Sequence, residues 1–129
     1  MKRYAWLAGL LSAVPVAAAA VDFDGSRTLI CAPLEARTCV SGQVCASSRP
    51  GEIGIPAFVR IDFDKQVIVG PYRTTPIRLM ERGDRQLLLQ GVELGMAWTI
   101  ALDQESGEMS ASIVDRKAGF VLFGACTPL

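Results

Sequence analysis

The sequence predicts an all-β fold: an antiparallel meander that is closed or nearly closed into a small disulfide-linked barrel, with a β-sandwich as the alternative. From Phe58 onward, short apolar runs are separated by turn residues, and no long segment has its apolar residues at a helical period. A meander of consecutive hairpins leaves two free sheet edges. Closing the sheet on itself removes both edges, which favours the barrel.

The chain begins with a predicted secretory leader. MKRYAWLAGLLSAVPVAAAA combines a basic start, an apolar stretch and small residues, and Ala18 and Ala20 form an A-x-A cleavage site. We expect cleavage before Val21, so that 1–20 is a signal peptide and 21–129 a single β domain. An uncleaved membrane anchor is less favoured, because the apolar stretch is short for a bilayer. No later stretch is long and apolar enough to span one, so we expect no membrane span after cleavage.

The elements before Phe58 follow a less regular pattern. A strand is expected near 28–32, and a hairpin around Ser41 and Gly42. Segment 49–56 is rich in proline and glycine, which is typical of a loop.

From 58 to 113 the pattern predicts hairpins. In 58–69, alternating apolar side chains continue through an Asp64-Lys65 turn into a second strand. Gly83 and Asp84 separate two further runs, as a hairpin turn does, and 104–107 separate the next two. The two strands on either side of 104–107 have one apolar face, made by Trp98, Ile100, Leu102, Met109, Ala111 and Ile113.

The last run, 120–126, is apolar on both faces. We therefore expect a central strand that is buried on both sides. Four large side chains should fill the interior of so small a barrel: Trp98, Ile100, Leu102 and Phe120.

Four cysteines in an exported chain predict two disulfides. A zinc site is the alternative, but the sequence has no C-x-x-C pair and no histidine. Cys39 and Cys45 enclose only VSGQV, whose Ser41-Gly42 turn brings them close enough to bond. Cys31, in the first strand, would then pair with Cys126 in the last, as a closed barrel requires of its terminal strands.

Composition excludes several classes of function. Lys and Arg together number 13, as do Asp and Glu. Because Lys2 and Arg3 leave with the leader, the mature domain is slightly acidic, and it has no basic run to attract nucleic acid. The absence of histidine removes the commonest general base and metal ligand. Serine-hydrolase and phosphate-loop motifs are missing. Two carboxylate pairs fall at expected turns, where solvated acids are ordinary: Asp62 with Asp64, and Glu105 with Glu108.

We assign no catalytic, cofactor-binding or metal-binding residue from the sequence, and we expect no cofactor. Tyr72 lies between turn residues in GPYRTTP, so with Arg73 it is the candidate contact point for a partner. Trp98 shares its face with apolar residues, and we expect it in the core rather than at a recognition surface.

Three stretches resemble a family of small, uncharacterised exported proteins of proteobacteria: FVRIDFDKQVI, LLLQGVELGMAWTIALDQESGEMSAS and the final FVLFGACTP. The likeness covers about two thirds of the mature chain. It implies export and a compact β domain, and it supplies no functional residue.

The sequence favours a periplasmic or secreted domain without catalysis, monomeric or weakly associating, that acts as a binding or envelope-associated protein. Its partner is unknown, an envelope protein or a small ligand, and loops that include 49–56 and 70–76 hold any contact surface. The alternatives are a carrier of a small apolar ligand and an inhibitor of a secreted hydrolase. Small secreted β-barrels that inhibit lysozymes or proteases are similar in length and disulfide use, although the motifs of their inhibitory loops are absent from this sequence. A carrier would need space inside the barrel. An enzyme would need several acids in one pocket.

Overall fold

The structure is a computed structural model that describes residues 14–15 and 22–129. Except for positions 14 and 15, the expected leader 1–20 lies outside the described residues, as does Val21, the expected first residue of the mature chain. Within the described ranges, no helix has the length and hydropathy needed to cross a bilayer.

The described strands form one strongly curled antiparallel sheet. In chain order they are β1 (Leu29–Val40), β2 (Ala46–Ser48), β3 (Val59–Asp62), β4 (Val67–Val69), β5 (Thr74–Pro76), β6 (Leu79–Arg82), β7 (Gln86–Glu93), β8 (Met96–Asp103), β9 (Glu108–Val114) and β10 (Ala118–Pro128). A short 3₁₀ helix, Pro50–Ile53, lies between β2 and β3. The order across the sheet is β5-β4-β3-β1-β10-β9-β8-β7-β6, and β2 pairs with β1 beside this path.

The longest pairing joins the first strand to the last. β1 and β10 run antiparallel over almost their whole lengths, from Leu29 opposite Pro128 to Val40 opposite Ala118, with one irregularity at Leu34. The other edge of β1 pairs with β3 near its start and with β2 near its end. The two terminal strands therefore lie in the middle of the sheet.

The antiparallel sheet curls into a half-barrel, which confirms part of the expected closed or nearly closed barrel, but it is open, so the prediction of closure is wrong. Its two outer strands, β5 and β6, are neighbours in the chain, joined through Ile77 and Arg78, but they do not pair with each other. β5 has only three residues, already pairs with β4, and ends at Pro76, which has no N–H to donate. Arg78 N–H donates to the Gln90 carbonyl oxygen at 2.8 Å, which holds the bend against β7. Because the described strands share one sheet, the alternative sandwich does not form either.

The concave face of this half-barrel holds the core. The inward side chains include those predicted on β8 and β9, and the fully buried ones come from several strands: Leu29, Cys31, Ile61, Leu87, Leu89 and Leu102. β10 is central, as expected, but it is buried on one side only. Leu122 faces inward, whereas Phe123 is 45 % exposed on the convex face, where no described element covers it. Apolar residues on both faces of this strand therefore did not imply burial on both sides.

Both disulfides are present, and all four cysteines are bridged. Cys31 bonds to Cys126 directly across the β1–β10 pair, with a Cα–Cα distance of 4.0 Å, and both residues are buried. Cys39 bonds to Cys45 at the hairpin between β1 and β2. These are the pairs chosen from the sequence. Disulfides are typical of proteins outside the reducing cytosol.

The two bridges should differ in their effect on stability because they close loops of different length. The bonded cysteines are 95 positions apart in the sequence for Cys31–Cys126 and 6 positions apart for Cys39–Cys45. In the chain-entropy model these loops correspond to about 4–5 and about 2 kcal/mol. Urea unfolding should therefore show a larger loss for Cys31→Ala with Cys126→Ala than for Cys39→Ala with Cys45→Ala. Equal losses would contradict the structural role given to the long bridge.

Acid should weaken the turns that aspartates close. The pKa of Asp103 lies below its usual 3.8 because the backbone N–H groups of Ser106 and Glu105 donate to its carboxylate. The pKa of Asp115 is lowered in the same way by the backbone N–H groups of Lys117 and Ala118. A carboxylate whose pKa is lower in the folded state stabilises the fold above the unfolded value, and the effect disappears as the pH falls through the folded value.

The free energy of unfolding should thus decrease as the pH falls below 3.8. Asp103→Asn combined with Asp115→Asn keeps an acceptor oxygen but removes the titration, so this variant should lose less stability on acidification than the wild type. Urea unfolding over a pH series measures both slopes. Identical slopes would show that these turns do not contribute.

Candidate functional site

An apolar cavity of about 410 Å³ lies against the concave face of the sheet. Its wall comes from the inward side chains of β8, β9 and β10, together with the loop before β3 and the β4–β5 hairpin. The main contributors are Ile55, Ile68, Trp98, Ile100, Ala111 and Leu122. Small-molecule sites usually measure about 300–1,000 Å³ and are mostly apolar, with a few polar groups. The cavity fits that description.

The expectation that large side chains would fill the interior is only partly met. Leu102 is fully buried, and Trp98 and Ile100 are each 8 % exposed, but the last two form the cavity wall rather than closing the space. Phe120 is half-buried. The interior is therefore densely packed near Leu102 and open near Trp98.

The indole ring of Trp98 occupies space that is free because the residue opposite it is a glycine. Gly91 faces Trp98 on the neighbouring strand β7. A Cβ at Gly91 would overlap the indole ring and would lie 2.8 Å from the Pro76 carbonyl oxygen, so only glycine allows the ring to lie here. The indole Nε1 is buried and has no acceptor among the described residues. A buried N–H is normally paired, so this part of the cavity wall carries an unused donor.

Three polar residues beside the cavity connect β5, at one side of the sheet, to β7, near its other side. Thr75, on β5, donates its hydroxyl to Oε2 of Glu93, at the end of β7, at 2.8 Å. Oε1 of Glu93 lies 3.5 Å from a guanidinium nitrogen of Arg73. We call Arg73, Thr75 and Glu93 the clasp. It connects strands that no backbone ladder connects, and all three residues line the cavity.

The structure places both predicted contact residues at the cavity. Tyr72 is 91 % exposed at the tip of the β4–β5 hairpin, and Arg73 is the neighbouring member of the clasp. No protein-family model matches the chain, and neither a curated protein nor a solved structure shows significant similarity to it. The site therefore has to be interpreted from its own geometry.

Few titratable side chains line the cavity. Glu93 is the one acidic residue among the described residues that line it, and two clasp partners already bind its carboxylate. The two carboxylate pairs noted in the sequence lie elsewhere. Asp62 accepts the Lys65 N–H at the β3–β4 turn, and Glu105 and Glu108 are exposed at the β8–β9 turn. Within residues 14–15 and 22–129, no group of His, Cys, Asp and Glu is arranged to hold a metal ion.

Sequence reasoning missed the clasp and the cavity. Thr75 and Glu93 are 18 residues apart, on strands at opposite ends of the sheet order, and meet only because the sheet curls. A weak signal exists for Glu93. It stands in GVELG among apolar residues, beside a turn, where a carboxylate needs a partner if it is partly buried.

Breaking the clasp at its neutral member should cost measurable stability. Thr75→Val keeps the shape of this buried side chain but removes the hydroxyl that binds Glu93. A hydrogen bond to a charged group contributes about 1.5–3 kcal/mol, and partial exposure of Glu93 places the expected loss near the lower value. Urea unfolding measures the loss. Thr74→Val, at the exposed neighbouring position, is the matched control, and an equal loss in both variants would contradict the clasp.

Proposed function

We propose that this protein is an exported, non-catalytic binding domain that holds an apolar ligand in the cavity beside Trp98. The observation that carries the proposal is an apolar cavity of about 410 Å³ within the concave face of a small sheet, where packed side chains were expected. Voids lined by apolar groups lose packing contacts and destabilise a fold. A ligand would restore those contacts.

The polar groups around the cavity suggest what kind of ligand fits. Arg73 and Glu93 already neutralise each other, so the cavity has no free charge of either sign among its described lining residues. A charged group inside would lose its hydration without gaining a partner. The occupant is therefore an uncharged apolar molecule, or the acyl or aromatic part of a larger one.

Export remains part of the proposal. Two disulfides and the A-x-A site support it, and we propose the periplasm as the compartment, in line with the resemblance to exported proteobacterial proteins. That resemblance itself stays a prediction.

Fluorescence can test ligand binding directly, because the chain has two tryptophans, Trp6 in the expected leader and Trp98 in the cavity wall. Cleavage of the expected leader removes Trp6, so in the protein purified after export all tryptophan emission comes from Trp98. Titration with N-phenyl-1-naphthylamine, an uncharged apolar fluorophore, should quench Trp98 through energy transfer and give a saturable curve. Native mass spectrometry of the protein purified after export should also show any apolar molecule that it retains.

A matched pair of variants distinguishes the cavity from other apolar surface. Ala111 lines the cavity, whereas Ala101 faces outward on the adjacent strand β8. Ala111→Leu should weaken probe binding by about tenfold or more, equivalent to about 1.4 kcal/mol, because the added side chain occupies the ligand's space. Ala101→Leu should leave binding unchanged. No saturable binding, or the same loss in both variants, would refute the proposal.

A further inference from the structure

We propose that the end of the half-barrel at which the cavity opens docks on the surface of a lipid bilayer and exchanges an acyl chain with it. The choice of acyl chain as the occupant rests on the proposed function. The docking surface itself rests on separate observations: the distribution of exposed apolar side chains, the backbone at Leu94, and the distribution of charge.

The directions of the strands point several connections toward one end of the sheet, which we call the mouth end. These are the β1–β2, β4–β5, β7–β8 and β9–β10 connections and the segment before β3. Each of four of them exposes a large apolar side chain: Val44 (94 %), Phe58 (59 %), Tyr72 (91 %) and Leu94 (71 %). Within residues 22–129, Leu129 (61 %) is the one large apolar side chain so exposed in the turns and terminal segments of the opposite end. Exposed apolar side chains gathered in this way mark an interaction surface.

Leu94 occupies a position where its side chain brings no benefit to the isolated fold. Leu94 and Gly95 form the two-residue β7–β8 turn with φ values of 49° and 76°. Turns with positive φ at both positions favour Asn-Gly, and a leucine there is strained. The side chain points largely into solvent, so packing does not offset the strain. An unfavourable backbone held at an exposed apolar residue is typical of a functional position.

The mouth end and the opposite end of the sheet also differ in their charged residues. The connections at the mouth end carry four basic residues and three acidic ones (Arg49, Arg73, Arg116, Lys117; Glu52, Glu93, Asp115). The opposite end carries four basic residues and eight acidic ones (Arg27, Lys65, Arg82, Arg85; Asp22, Asp24, Asp62, Asp64, Asp84, Asp103, Glu105, Glu108). An anionic surface would attract the first end and repel the second, which orients the domain with its cavity toward the surface.

A bilayer explains the cavity and its rim together. Tyr72 and Leu94 belong both to the exposed rim and to the cavity lining, so the apolar surface continues from the loop tips into the interior. A lipid surface can cover the tips while one of its acyl chains enters. Tyrosine is also enriched where proteins meet the interface of a bilayer.

Vesicle flotation tests the docking surface. The protein purified after export should float with vesicles of equal phosphatidylglycerol and phosphatidylethanolamine at low salt, and less so at high salt. The test variant combines Leu94→Asn with Val44→Ser. Asn-Gly suits the turn, so this variant should melt at the same or a higher temperature while its vesicle affinity falls by about fivefold or more. Loss of binding therefore cannot come from misfolding.

Two controls separate this inference from the proposed function. Leu129→Ser removes the exposed leucine at the opposite end and should float as the wild type does. Ala111→Leu should lose the naphthylamine probe yet still float. Failure of the wild type to float, or unchanged flotation of the Leu94→Asn, Val44→Ser variant, would overturn docking even if the probe binds. A concentration-dependent dimer that this variant abolishes, seen by analytical ultracentrifugation, would also overturn it by assigning the surface to a second copy.

Discussion

The pairing of β1 with β10, fixed by the Cys31–Cys126 bridge, is the constraint on which the rest of this structure depends. It places both termini of the folded chain in the middle of the sheet, where their strands have neighbours on both edges. The free edges must then come from the middle of the chain. Along the main path of the sheet they are β5 and β6, which are short and joined by a bend of two residues. Pro76 removes a donor at that bend, so the ends of the sheet meet without forming a ladder.

Because β5 and β6 do not pair, side chains rather than a backbone ladder make most of the polar contacts beside the cavity. A closed barrel would hold β5 and β6 with backbone hydrogen bonds. Here the side chains of the clasp hold β5 to β7, and one backbone bond, from the Arg78 N–H to the Gln90 carbonyl oxygen, holds the bend between β5 and β6 to β7. These side-chain contacts are broken more easily than a ladder of backbone hydrogen bonds, since they are fewer and partly solvated. The same feature that leaves the sheet open thus leaves side-chain contacts, rather than a backbone ladder, beside the cavity.

Alternation of apolar and polar residues was enough to find β8 and β9 and the face that each buries, because a half-buried strand imposes a period of two. Cysteine spacing gave the disulfide pairs, since only Cys39 and Cys45 are joined by a segment short enough to be a turn. Closure was mispredicted because it depends on how two short strands meet in space. The cavity could not be predicted either, because the same inward side chains can fill a barrel or line a gap, depending on the curvature of the sheet.

The exposed apolar side chain on β10 and those at the mouth end have different physical explanations. Phe123 lies within a strand of the convex face, where its polar cross-strand neighbour Ser110 and the charged Glu35 flank it, so one exposed ring there is ordinary. The loop tips have no such context. Tyr72 and Leu94 extend from separate hairpins, contribute to the wall of one cavity, and leave most of their surface in solvent. Folding alone favours polar residues at such turns. Apolar side chains at these positions, one of them on a strained backbone, are better explained by what the surface contacts than by what the fold requires.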